Sequence, residues 1–390
     1  MSIDLHLYPS YLQNESRILK ITKSLIGNNI TSNIHVVGIW KEKLKAEELI
    51  DDKRKIVRLK IHLYRYLPFF KTFFFRWEWY FKVFFKYINK EVRVIQCNSI
   101  EDLPVGVALK RCKKGVKLVY DAHELETEKN TVDGFRKKIV KVVEKRLIKH
   151  VDKVSVVSKC IADWYQREYK IHKVYLIRNI PYNHFRSTLS DERVENIKNE
   201  KKIRKKFNIT DDEMVFLYQG GLMTGRALLV WLEIFKNLPS KNKHIVFMGY
   251  GYYEIEIQQY ADQYSNIHLH PAVHPDEIHE YSVDADVGLS VIENSYLSYY
   301  FCLPNKLYEY ILCNVPVLVS DFPEMSRTLH ELKSGWIINP TYEEMYKFIN
   351  EITLYDIKQK KALCNNVKNK IGWHTEEKVL LEMYQGLGLK

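Results

Sequence analysis

The chain has 390 residues, 46% of them hydrophobic and 28% charged, a globular composition that is long enough for two domains and excludes a disordered chain. No run reaches the roughly 18 uncharged apolar residues that a spanning helix needs, and no N-terminal stretch has the apolar core of a signal peptide, so a cytosolic location is expected. The net charge of +12 is uneven: residues 1–180 carry 37 Lys and Arg against 20 Asp and Glu, residues 181–390 carry 23 against 28, and the basic half suggests an anionic partner.

In chain order, Ser2 to Tyr8 alternates as a strand, Pro9 to Asn14 turns, and an amphipathic helix follows over Glu15 to Ile26. A second strand at Asn33 to Trp40 completes a βαβ unit and favours a parallel sheet. Arg17, in the first helical turn near the strand ends, is read either as a contact for an acceptor anion or as a solvated helix charge. Residues 61–90 interleave Phe69, Phe70, Phe73, Trp77, Phe81 and Phe85 with Arg65, Lys71, Arg76, Lys82, Lys86 and Lys90. That pattern fits an interfacial membrane helix with aromatics in the acyl boundary, or a core helix whose lysines snorkel to water.

Val92 to Asn98 and Lys117 to Tyr120 read as strands joined by a helix over Leu103 to Cys112. The second strand runs into Asp121-Ala122-His123-Glu124, and open parallel sheets place ligand chemistry at such carboxyl ends. His123, between two carboxylates, is therefore a site candidate, with Asp121 and Glu124 beside it on the acceptor side. A basic helix over 134–150 sets Ile139, Val142, Val143 and Leu147 on one face and lysines mostly off it, as a dock for anionic lipid headgroups or as a solvated surface. After a strand at Val154 to Val157, a helix at Ile161 to Tyr169 and a strand at Val174 to Ile177, the segment Arg178 to Asn183 with the charged 186–206 stretch reads as an interdomain hinge.

The second half restarts the α/β pattern. A strand at Met214 to Gln219 ends in Gly220-Gly221, with Gly225-Arg226 and a helix over Ala227 to Leu238 next, a loop in which glycine N–H groups can approach a phosphate and Arg226 can pair with it. Strands come next at 245–248, 267–270 and 287–291, the last reaching Glu293. His268, His270 and His274 are read as strand and loop histidines, with no metal called for, and the six scattered cysteines as buried free thiols.

The stretch Phe301 to Pro323 parses as helix, stop and strand. Pro304 suits a first helical turn, Leu307, Tyr310 and Ile311 share an apolar face, Asn314 tolerates the left-handed stop, and 315–319 is a buried strand. The helix N-terminus at Pro304-Asn305-Lys306 offers free N–H groups and a full positive charge to a phosphate or diphosphate, and Glu309, a turn further in, can accept bonds from ribose-type hydroxyls.

LVYDAHELETE and LPNKLYEYILCNVPVLVSDFPEM resemble the corresponding blocks of retaining glycosyltransferases of family 4, and the GG loop, GYG, DADVGLSVIE and Trp373-His374-Thr375-Glu376-Glu377 fall in the family's order. The resemblance implies the α/β GT-B fold, two Rossmann-like domains facing across a cleft. It sets an acceptor-binding domain at 1–180, a nucleotide-sugar-binding domain at 181–372, and a last helix, about 373–390, packing back on the first. It implies donor binding by Gly220, Gly221, Glu293, Phe301, Leu303, Pro304, Asn305, Leu307 and Glu309, with His123, Arg226 and Lys306 as catalytic groups. Two positions depart from the pattern: Phe301 stands where the family has the first of two glutamates, and Ala227 where it has a lysine, a charge that Lys306 would then supply.

The resemblance thus leads to the expectation of a retaining, metal-independent transferase with no cofactor beyond its UDP- or GDP-type sugar substrate. It would work on a glycan or lipid-linked acceptor in polysaccharide or glycolipid synthesis, as a peripheral protein at the inner face of the plasma membrane. An anionic surface would be met through 61–90 and 134–150, and no nucleic acid is expected. A nucleotide-sugar epimerase of the same fold and a non-catalytic nucleotide-binding scaffold are the alternatives.

Overall fold

The computed structural model describes residues 2–13, 15–62, 71–129, 134–182, 196–197 and 199–389, and these form two compact units, Met1–Arg178 with Thr375–Lys390, and Asn179–His374. The 63–70 part of the aromatic stretch and the 183–195 part of the expected hinge lie outside the described residues.

Unit 1 is built on eight strands: β1 Ile3–Leu7, β2 Ile34–Ile39, β3 Glu47–Leu49, β4 Arg54–Leu59, β5 Val92–Cys97, β6 Lys117–Ala122, β7 Lys153–Val156 and β8 Val174–Leu176. Their order is β3-β4-β2-β1-β5-β6-β7-β8, parallel apart from the β3–β4 pair. The intervening helices are α1 Ser16–Gly27, α2 Lys71–Tyr87, α3 Leu103–Cys112, α4 Gly134–Leu147 and α5 Lys159–Tyr169. The central strands are buried throughout, as a sheet covered on both faces requires.

Two elements escape the sequence pattern, a strand and a helix. β4 reads RKIVRL, and its arginines look like surface residues, yet both are buried. Arg58 donates to the Tyr11 and Leu12 carbonyls at 2.9 and 3.0 Å, and Arg54 to the Leu19 carbonyl at 3.1 Å. Burying each guanidinium is tolerated because backbone acceptors replace water around it and a carboxylate pairs with it, Asp51 with Arg54 and Glu48 with Arg58, both at 2.7 Å. α4 turns its apolar residues outward. Ile139, Val142 and Val143 face solvent, and the buried side chain is Glu144, which accepts bonds from the hydroxyls of Tyr120, Tyr165 and Tyr169 at 2.7, 2.7 and 2.5 Å.

α2 carries two aromatic stripes, one of them in the core as the second of its readings expects. Trp79, Val83 and Tyr87, four residues apart, form a buried stripe, while Phe73, Trp77, Phe81 and Phe85 form an exposed one whose rings contact in series at 5.9, 5.0 and 5.9 Å.

Unit 2 carries β9 Met214–Gln219, β10 Lys243–Gly249, β11 Ile267–Pro271, β12 Val287–Ser290, β13 Val317–Ser320 and β14 Gly335–Ile338, all parallel, in the order β11-β10-β9-β12-β13-β14. Its helices are α6 Lys202–Phe207, α7 Leu228–Lys236, α8 Glu254–Gln263, α9 Ile278–Ser282, α10 Leu297–Tyr300, α11 Asn305–Leu312, α12 Pro323–Leu332, α13 Tyr342–Glu351 and α14 Leu354–Val367. His268 stacks on His244 and His270 bonds the Pro271 carbonyl at 2.7 Å. Of the six free cysteines, Cys97, Cys313 and Cys364 are buried, but Cys160 and Cys302 are half-buried and Cys112 is exposed.

The last helix, α15 Trp373–Gln385, belongs to unit 1 from Thr375 onward. Buried Glu376 accepts from the Arg178 backbone N–H at 2.7 Å and from its guanidinium at 2.6 Å, and the Tyr384 hydroxyl donates to Gln96 at 2.6 Å. No described helix is long and apolar enough to cross a membrane.

Candidate functional site

In unit 2 the site is assembled by helix α11 and the loop after β9. Leu307, Tyr310 and Ile311 are fully buried, so α11 is held by its apolar face. The Tyr310 ring lies where a Cβ on Gly288 would come within 2.3 Å, and its hydroxyl donates to the Leu217 carbonyl at 2.7 Å and accepts from the Gln219 N–H at 3.0 Å. This ties α11 to the carboxyl end of β9. The helix stops at Asn314 with φ 61°, where N–H groups of Val315 and Asn314 close on the carbonyls of Tyr310 and Ile311 at 2.9 and 3.0 Å, the paired bonds of a Schellman cap.

At the other end Pro304 is extended and precedes the helix rather than opening it, with helical residues starting at Asn305. The first N–H groups of α11 thus lack intrahelical partners, which favours an anion there. Lys306 is half-buried with its ammonium 3.8 Å above the Tyr218 ring. Burial and then the charge of Arg226 push that ammonium well below the usual lysine range, against the pull of Glu309. Arg226 lies 5.0 Å over the Tyr299 ring, and among the described residues no carboxylate forms an ion pair with either cation.

The glycines shape the loop. Gly220 has φ 119°, and a Cβ on Gly249 would come within 1.9 Å of its carbonyl oxygen, so GG and GYG are one interlocked pair of turns, joined further by Leu222 N–H to the Tyr250 carbonyl at 2.9 Å. Gly225, with φ 78°, presents its carbonyl to the Glu293 N–H at 3.1 Å, which brings Glu293 beside Arg226 in the fold. Glu309 accepts from the Gln219 amide at 2.7 Å, Gln219 accepts in turn from Ser282 at 2.7 Å, and the carboxylate opens on a recess of about 70 Å³ beside Ile278 and His279.

In unit 1, His123 Nε2 lies 3.1 Å from Asp121, and its ring is 5.4 Å from that of Tyr8. Asp121 sits inside the end of β6 and is fully buried. Arg17 clamps it with bonds of 2.8 and 2.7 Å and reaches the Ile177 carbonyl at 2.8 Å, while Ser155 donates to it at 2.7 Å. Burial works to raise the carboxyl pKa, but Arg17 and His123 hold it well below the usual range.

The first half of the chain, residues 33–180, matches the family model described as Glycosyltransferase Family 4, and residues 199–370 match that of Glycosyl transferases group 1. The chain belongs to the GT-B glycosyltransferases. No curated protein matches it. Among solved structures, sucrose-phosphate synthase from Thermosynechococcus elongatus superposes with a TM-score of 0.79 at 16% identity, covering 100% of this chain and 99% of that one. Anabaena HepE in complex with UDP-glucose gives 0.72 at 13%, covering 99% and 100%, and WaaG, a glycosyltransferase involved in lipopolysaccharide biosynthesis, gives 0.66 at 12%, covering 98% and 99%.

For this glycosyltransferase the structure corrects several placements. Arg17 is neither a solvated charge nor open to an acceptor anion, since burial would leave its charge uncompensated without Asp121, and Asp121 for the same reason supports His123 instead of facing a ligand. Leu307 is core and Leu303 is nearly so, so neither presents much side-chain surface to a ligand. Phe301 caps α10 against Tyr300. Ala227 is buried at φ 53°, so a side chain there starts out in the core. Glu124 is exposed, with Lys129 at 3.8 Å. Sequence reasoning passed over Gln219 and Tyr299, and their only prior signal is that they flank the glycine loop and the Phe301 stretch.

Proposed function

We propose that this glycosyltransferase moves a sugar from a UDP- or GDP-type donor, with retention of configuration and without a metal, to a glycan or lipid-linked acceptor in polysaccharide or glycolipid synthesis. The observation that carries the reading is the pairing of two cations without ion-pair partners among the described residues, Arg226 and Lys306, with the N-terminus of α11 and the carboxylate of Glu309 one turn on. Such a set suits a nucleoside diphosphate: cations and helix N–H groups meet the phosphates, and Glu309 accepts from ribose hydroxyls. HepE, of the same fold, was solved with UDP-glucose, which supports this donor class.

As the bond from the sugar to the diphosphate breaks, negative charge builds on the departing phosphate, and Arg226 and Lys306 oppose it. The acceptor oxygen forms the new bond on the same face, and its proton passes to a phosphate oxygen. His123, held by Asp121, is assigned to the transferred sugar. The exposed ring series of α2 and the apolar residues of α4, the latter interspersed with exposed Lys138, Lys145 and Arg146, support a peripheral position on an anionic bilayer, at the inner face of the plasma membrane.

Transfer assays across nucleotide sugars test the reading. Arg226→Ala is expected to lower kcat by about a hundredfold or more, as loss of a charge-stabilising group does, and Glu309→Ala to weaken donor use by roughly tenfold through a lost hydrogen bond. Unchanged transfer in both variants contradicts it.

A further inference from the structure

Unit 1 holds a pocket of about 480 Å³ at the carboxyl ends of its central strands. Tyr8, Ser99 and Glu126 line it from the ends of β1, β5 and β6, Tyr80 from α2, and Ile139 and Val143 from α4. Glu126 is only 2% exposed. One of its oxygens accepts from Lys129 at 3.0 Å, and the other, Oε1, has no hydrogen-bond partner among the described residues. Leaving a buried oxygen unpaired is costly, and a donor on a ligand would recover that cost.

The remaining lining narrows the ligand. Arg76 pairs with Glu101 and Lys129 with Glu126, Arg136 also lines the pocket, and Arg76 Nε has no hydrogen-bond partner among the described residues, so the lining mixes donors with acceptors as a polyhydroxylated head requires. Ile139 and Val143, 48% and 37% exposed, carry the apolar wall out of the pocket and onto the surface of α4, beside Val142 and Phe135. A hydroxylated head fits the inner end and an alkyl chain fits the outer one. Tyr8 lines the pocket and also contacts His123, so the hydroxyl-binding end adjoins the candidate histidine within the same unit.

We propose that this pocket binds a glycolipid, a hydroxyl of its sugar donating to Glu126 Oε1 and its alkyl chain lying along Ile139 and Val143. That the glycolipid is the acceptor rests on the glycosyltransferase reading; the binding does not. Calorimetry on the full chain with octyl glucoside below its micelle concentration, methyl glucoside and octanol tests it. Octyl glucoside is expected to bind more tightly than either half-molecule. Glu126→Gln should weaken it roughly tenfold while leaving octanol unchanged, and Ile139→Lys, at a solvent-facing position, should weaken octyl glucoside and octanol while leaving methyl glucoside unchanged. Should Glu126→Gln fail to fold, Ile139→Lys decides alone. Octyl glucoside binding no tighter than octanol, or unmoved by the variants that fold, overturns the proposal. A nucleotide-sugar melting shift measured alongside reports on unit 2, so its loss counts against the donor reading and not against this pocket.

Discussion

At the scale of single residues, the Arg17–Asp121 pair decides what His123 can do. Asp121 receives two bonds from Arg17 and one from Ser155 and still bonds His123, so the imidazole is aimed by a carboxylate with no freedom of its own. Breaking a buried pair by removing one partner leaves a charge stranded, and costs about 3–5 kcal/mol. Arg17→Met is therefore expected to lower the unfolding free energy of unit 1 by about that amount in urea titrations. Asp121→Asn should add a loss of turnover out of proportion to its stability effect, because His123 loses its orienting carboxylate. The same scale explains Lys306: burial and Arg226 both act against its ammonium, and a diphosphate bound there, as proposed, would offset both.

At the scale of elements, the helices of unit 1 are unusual in what they leave uncovered. α2 buries one aromatic stripe and exposes another, and α4 buries a glutamate while its valines and isoleucine face water. Replacing Phe81 and Phe85 with serine is expected to reduce co-sedimentation with phosphatidylglycerol vesicles at least severalfold while leaving the melting temperature within a degree or two, since neither ring is in the core. Equal sedimentation of wild type and variant would sink the membrane assignment.

These elements also show how far the sequence could be read. The parallel α/β pattern of both halves, the 103–112 helix, β9 and the stop at Asn314 were all legible, because strand hydrophobicity, helix periodicity and left-handed tolerance are local properties. β4 was not, because its buried arginines are satisfied partly by nearby Asp51 and Glu48 and partly by carbonyls of residues 11, 12 and 19, far away in sequence. For the same reason the burial of Arg17 and Asp121 was invisible: the partners are 104 residues apart. The buried Glu144 of α4 was not legible either, because periodicity reports that a face is apolar, not which way it turns. In the site, Lys306, Arg226 and Glu309 were legible from their motif, whereas Glu126 needed the pocket to be seen.

At the scale of the whole molecule, buried and half-buried histidines link stability to pH. Burial lowers His6 to about 3, opposed by Asp121, and His35 to about 4, aided by Lys90 and Lys55. In unit 2, burial and then His244 lower His268 to about 4. Each value is depressed on folding from an ordinary 6.5, so the unfolded chain binds protons first as the pH falls below 6.5. Stability is thus fully present above pH 6.5 and is lost progressively toward pH 4, by up to about 1.4 kcal/mol per pH unit for each fully affected group. Calorimetric scans at pH 7 and pH 5 should show a lower melting temperature at pH 5, and His268→Gln should flatten that dependence for unit 2.

The central claim is that Arg226, Lys306, Glu309 and the start of α11 form a nucleotide-sugar site, and the most direct measurement is thermal unfolding in the presence of a panel of UDP- and GDP-sugars. The account predicts that at least one of them raises the melting temperature of the wild type, that the corresponding free sugar does not, and that Arg226→Ala abolishes the rise. A panel in which no nucleotide sugar stabilises the protein, or in which Arg226→Ala is stabilised as much as the wild type, would contradict it.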